Sequence, residues 1–236
     1  CFIFCSDDEI PINHLSQIVV QAQKLPFTQK TEVPQGAFIK DDKMVVRYKD
    51  QECDMYLQEL ALGGKHNIYN SMAAAIAAKA MDIDNDVIRN GLATFQAVEH
   101  RLEKVVSIKD VLYINDSKAT NVDAAWYALE CQTRPVVWIV GGTDKGNDYS
   151  CLVQLAKDKV KAIVCLGPDV KKFHESFEGV VPEMHDTMSM HDAVATAARL
   201  AKEGDVVLLS PCCASFDLFK NFEDRGKIFK EEVRSL

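Results

Sequence analysis

Short runs of branched and aromatic apolar residues at 111–114, 136–140, 162–166 and 206–209 alternate with stretches of helical spacing at 122–129, 150–157, 170–177 and 191–201. A strand that is apolar at every position has both faces out of water, which in soluble domains means a parallel sheet covered by helices on both sides. Each strand–helix–strand step crosses over right-handed, so successive strands run parallel. The expected fold class is α/β, with a Rossmann-like, mostly parallel sheet and flanking helices, and a last helix near 222–233 covers one face.

The first 98 residues read differently. A short strand at 2–5 is followed by the breakers Pro11, Pro26, Pro34 and Gly36, and residues 37–39 and 44–48 read as a hairpin at a sheet edge, joined by Lys40-Asp41-Asp42-Lys43. An alanine-rich helix at 68–81 is expected to be buried, and Asp84 caps a second helix at 86–95. A chain of 236 residues accommodates two modest domains, and the boundary is placed near 98, giving 1–98 and 99–236.

Composition narrows the function. Lys+Arg 27 against Asp+Glu 35 gives a net charge of −8, which argues against a nucleic-acid partner, since that needs a basic face. No apolar run approaches the roughly 18 residues of a membrane helix. The eight cysteines have neither disulfide nor zinc spacing and read as reduced thiols of a cytoplasmic protein; the histidines likewise lack metal-ligand spacing. The chain begins at Cys1 without an initiator methionine and reads as cut from something longer.

Three of the apolar runs lead into loops dense in small polar residues, glycine and lysine: Asn115-Asp116-Ser117-Lys118-Ala119-Thr120-Asn121, Gly141-Gly142-Thr143-Asp144-Lys145-Gly146 and Ser210-Pro211-Cys212-Cys213-Ala214-Ser215-Phe216-Asp217. Parallel strands open their carboxyl ends on one edge, where ligands settle against helix N-termini, so the loops predict one pocket and their lysines and hydroxyls an anion in it. In the first loop Ser117, Lys118 and Thr120 can face that anion. The competing role for Asp116, Ser117 or Asn121 is a helix cap, which accounts for one polar residue rather than five. The second loop has neither Walker nor dinucleotide spacing; its glycines leave Lys145 as a placed cation, against a plain tight turn with solvated charges. In the third, Ser215 shares the rim, and Cys212 and Cys213 are expected to be inert buried thiols. Asn67 and Asn70 share one helical face and can hydrogen-bond a ring or a phosphate, unless Asn67 is an ordinary cap, and Arg101 stands at the hinge between the domains.

In order, His66-Asn67-Ile68-Tyr69-Asn70, His100-Arg101-Leu102-Glu103, the three loops and the ending Asn221-Phe222-Glu223-x-Arg225-Gly226 resemble the motif set of the Mur ligases, and within it the branch that adds D-glutamate. The resemblance spans essentially the whole chain. It implies that 1–98 is the latter part of a central ATP-binding domain, without its phosphate loop, and 99–236 a C-terminal amino-acid-binding domain. It further implies an ADP-forming ligase of peptidoglycan precursor synthesis that uses ATP and Mg2+. The alanyl carboxylate of UDP-N-acetylmuramoyl-L-alanine becomes an acyl phosphate, which the amine of D-glutamate attacks; the UDP-sugar site and principal metal ligands are expected outside this chain. By the same resemblance Asn67, Asn70, Arg101 and Asp116 serve the nucleotide, and Thr120, Lys145, Ser215 and Phe222 serve D-glutamate. Lys118 is the candidate for stabilising charge that develops on the acyl phosphate or tetrahedral intermediate. The chain alone is expected to be inactive. Two alternatives stay open: a non-catalytic nucleotide-binding Rossmann-like module, and a sister amide ligase that adds a different amino acid.

Overall fold

The computed structural model describes residues 1–96 and 98–236, and the chain divides into two units, 1–97 and 98–236. The first contains β1 (Phe2–Cys5), α1 (Glu9–Leu15), β2 (Lys24–Phe27), β3 (Gly36–Lys40), β4 (Lys43–Tyr48), β5 (Gln51–Tyr56), α2 (Lys65–Ala80) and α3 (Asn85–Thr94). Its five strands lie in the order β1-β2-β3-β4-β5; β1 to β3 run parallel and β3 to β5 antiparallel. The β3–β4 hairpin turns on Asp41 and Asp42, both at positive φ, the backbone that a two-residue hairpin turn requires. It is not the sheet edge that the sequence predicts, because β5 pairs outside it. Nor is α2 buried all round: its fully covered face is Met72, Ala75, Ile76 and Lys79, packed with Leu25, Ala37, Met44 and Val46.

The second unit contains β6 (Glu103–Ile108), β7 (Val111–Asn115), α4 (Val122–Glu130), β8 (Val136–Gly141), α5 (Val153–Lys159), β9 (Val160–Leu166), α6 (Lys171–Phe177), β10 (Glu183–Thr187), α7 (Met190–Leu200), β11 (Val206–Cys212) and α8 (Phe222–Arg234). The strand order is β10-β9-β8-β11-β7-β6, parallel except for β6, which returns on β7 through Lys109 and Asp110, again at positive φ.

The central strand β8 shows why the apolar runs read as they do. Val136, Trp138 and Val140 face one core with Ala125 and Leu129 of α4, Ala156 of α5, and Phe173 and Phe177 of α6. Val137 and Ile139 face the other, with Ala193 and Val194 of α7 and Phe229 and Val233 of α8. Burying side chains of this kind contributes roughly 1.5–3 kcal/mol each. The Trp138 indole N–H, fully buried, is satisfied by the Ser210 carbonyl at 2.8 Å.

Candidate ligand-binding site

Because β11 lies between β8 and β7, the three loops leaving their carboxyl ends are neighbours. The Asp116 amide donates to the Leu209 carbonyl at 2.8 Å and the Ser210 hydroxyl to Asp116 Oδ2 at 3.0 Å, joining the first loop to the third. The Thr143 amide donates to the Ala214 carbonyl at 2.8 Å, and the Asn147 amide group to that of Cys212 at 3.2 Å, joining the second to the third. This approach needs glycine. Gly141 and Gly142 stand at φ 129° and 126°, and a Cβ on either would come within 2.0 and 2.1 Å of the Leu166 and Ala214 carbonyl oxygens.

One side chain reaches all three loops. Arg225, 1% exposed on the inner face of α8, donates through Nε to the Ser117 hydroxyl at 3.0 Å and through Nη2 to the Ser117 carbonyl at 2.8 Å. Both terminal nitrogens reach the Cys213 carbonyl at 3.2 Å, and Nη1 reaches that of Gly141 at 3.4 Å. Burial pulls the guanidinium down to a pKa of about 10, against the opposing charge of Asp217. Sequence reading assigned it no role. The available signal was its place four and eight residues before Phe229 and Val233, on the apolar face of α8, where an arginine is out of character.

Asp116 is equally enclosed. Besides Ser210, it accepts from the Leu102 amide at 3.1 Å, and burial raises its pKa to about 7, with those two hydrogen bonds and Arg101 pulling the other way. Its carboxylate therefore bridges the loop after β7, the end of β11 and the turn before β6. That turn is shaped by His100 and Leu102 at positive φ; the His100 carbonyl accepts from the Lys118 amide at 3.1 Å, and its ring meets the Asn115 side chain at 2.9 Å.

Next to it opens a cleft of about 700 Å³ lined by Arg101, Lys118, Lys220 and Lys227 against Glu99, Glu223 and Asp224, with Phe222 among them. The Lys118 ammonium stands 3.8 Å from the centre of the Phe222 ring, a cation–π contact that orients it. Arg101, Lys118 and Phe222 thus share one cleft. Thr120 lies two residues after Lys118 in the loop, half-buried, with its amide on the Lys118 carbonyl at 2.8 Å. Ser215 is buried within the third loop, and Lys145 is exposed on the second. Neither Thr120, Ser215 nor Lys145 lines the 700 Å³ cleft. The second loop is braced by Asp144, which accepts from the Gly146 and Asn147 amides, the Tyr149 hydroxyl and the Lys172 ammonium.

The capping alternatives resolve one by one. Asn121 does cap α4, accepting from the Ala124 amide at 2.8 Å, whereas Asp116 and Ser117 are bridging groups. In the first unit, Asn67 is not a cap: Gly64 holds the N-cap position of α2, and the Asn67 amide group donates back to the Gly63 carbonyl at 2.8 Å. Asn70, one turn on, is exposed. Cys212 and Cys213 are buried and their thiols pushed upward in pKa by burial, as inert thiols should be.

A Mg2+ site needs free carboxylates, and the cluster of Glu99, His100 and Glu103 beside the cleft has both of its carboxylates engaged. Glu103 accepts from the Asn115 side chain, the His100 amide and Lys230, and Lys230 also engages Glu99.

Residues 100–213 match the family described as Mur ligase, glutamate ligase domain. The chain is 51% identical over its full length to UDP-N-acetylmuramoylalanine--D-glutamate ligase of Christiangramia forsetii, and 44% identical over 99% of its length to the protein of the same name from Salinibacter ruber. The chain belongs to the Mur ligase family. It spans about half the length of these relatives, 53% and 52% respectively. At the level of fold, a pseudomurein peptide ligase type C from Methanothermus fervidus superposes with TM-score 0.69 at 16% identity, over 99% of this chain and 56% of that one. A murein peptide ligase from Psychrobacter arcticus does so with TM-score 0.64 at 14% identity, over 99% and 51%. The Rossmann-like sheet of this Mur ligase chain is thus a fold it shares with distant ligases.

Proposed function

We propose that this chain is the C-terminal part of an ATP-dependent ligase that joins D-glutamate to UDP-N-acetylmuramoyl-L-alanine, forming ADP and phosphate by way of an acyl phosphate. The observation that carries the reading is the joining of three donor-rich loops at one sheet edge, beside a cleft where Lys118 and Arg101 present cations. The names of the relatives agree with it.

In this reading residues 99–236 bind the amino acid and residues 1–98 are the latter part of the ATP-binding domain. Asn67, Asn70, Arg101 and Asp116 serve the nucleotide, and Mg2+ is held by ligands outside this chain. Thr120, Lys145, Ser215 and Phe222 hold D-glutamate, whose two carboxylates each take charge-assisted hydrogen bonds of roughly 1.5–3 kcal/mol. Lys118 stabilises charge as it develops at the reacting centre, oriented by the Phe222 ring. The protein works in the cytoplasm, where nucleotide-linked precursors are made; among the described residues no helix is long and apolar enough to cross a membrane.

The full-length protein should release phosphate from ATP only with D-glutamate and the UDP-sugar acceptor together, and the 236-residue chain alone should release none. Turnover with L-glutamate in place of D-glutamate, or by the chain alone, would contradict the proposal. Lys145→Ala in the full-length protein should raise the KM for D-glutamate about tenfold or more, the loss of one charge-assisted contact, while that for ATP stays within about twofold. Equal rises in both would remove Lys145 from the amino-acid site.

A further inference from the structure

Arg225 is buried on neutral carbonyls. Among the described residues no carboxylate hydrogen-bonds it; Asp217 acts on it only through space, and the two Asp217 oxygens, also buried, have no hydrogen-bond partner there. A hydrocarbon side chain of similar volume would fill this place at a lower desolvation cost, so what the guanidinium supplies is geometry. Its planar fork of donors has a fixed shape, and here the fork holds one backbone atom of each loop: the carbonyls of Ser117, Gly141 and Cys213. Ser117 extends the linkage, because its hydroxyl donates to the Phe222 carbonyl at 2.7 Å where α8 begins. Lys118 and Thr120 follow Ser117, Lys145 follows Gly141, and Ser215 follows Cys213 within a few residues. In the proposed D-glutamate site, the separation of the loops sets the spacing between the donors for the two ends of the amino acid.

We infer that Arg225 is a positioning residue which, by fixing the register of the three loops, tunes the pocket to D-glutamate over the shorter D-aspartate. This rests on the proposed D-glutamate site. Arg225 does not touch the amino acid; it fixes the distance between the groups that do.

The test uses the full-length ligase with Arg225→Lys, which keeps the charge and loses the fork. The expected result is a KM for D-glutamate raised about tenfold, a KM for ATP within about twofold, and a preference for D-glutamate over D-aspartate in kcat/KM lowered about tenfold, since small misplacements of binding groups have effects of at least this size. A merely structural lesion would lower all activities together. Ser117→Ala, a smaller change at the same linkage, should shift D-glutamate KM and preference in the same direction, and carries the test alone if Arg225→Lys does not fold. An unchanged D-glutamate KM and preference, or equal rises for ATP and D-glutamate, would overturn the role of Arg225. Absence of D-glutamate-dependent turnover in the unsubstituted enzyme would overturn the functional reading and this inference with it.

Discussion

Asp116 makes the stability of the second unit depend on pH. Burial raises its folded pKa from 3.8 to about 7. Below about pH 4 both folded and unfolded states hold the proton and no penalty arises; between about 4 and 7 only the folded state keeps it, so stability falls as pH rises and the full penalty applies above 7. A shift of about three units corresponds to roughly 4 kcal/mol as an upper figure. Asp116→Asn removes the titration, so the difference in urea midpoint between variant and parent should move in favour of the variant from pH 4.5 to pH 8. A constant difference across that range would show that Asp116 does not titrate in this way. Only the family resemblance made Asp116 a nucleotide-ligand candidate; its partners Leu102 and Ser210 come from before and well after it in the chain, and only folding joins them.

At the scale of elements, the loop after β8 depends on glycine backbone. Gly142→Ala should destabilise the second unit by about 2 kcal/mol or more, because alanine at φ 126° is strained and its Cβ would strike the Ala214 carbonyl oxygen. Asn121→Ala, which removes the α4 cap, should cost about 1 kcal/mol. Urea unfolding of each variant gives both numbers, and equal effects would deny that the loop is backbone-limited. Legibility also followed the elements. The buried strands β7, β8, β9 and β11 stood out because both faces are covered, but β6 and β10, the edges of the sheet, did not. Glu183-Met184-His185-Asp186-Thr187 lies half in water, so nothing selects an apolar run there, and charge on an edge discourages pairing with other chains. In the first unit β5 was missed for the same reason, and β2 because Pro26 reads as a breaker.

At the scale of the whole molecule, residues 98–236 have a core on each face of their own sheet, so expressed alone they should fold. Both tryptophans, Trp126 and Trp138, lie in this unit, and their fluorescence and the far-UV dichroism of the isolated unit should change together in urea. Separate transitions would mean that the two faces are not one cooperative structure. The sequence by itself determined the fold class, most element positions and the loops that carry polar chemistry, because hydrophobic period and turn residues act over a few neighbours. Tertiary structure alone decided that β11 enters between β8 and β7, and that Arg225 reaches across to all three loops. Strand order and the burial of a charge depend on which distant surfaces exclude water from one another, and local residue patterns do not encode that.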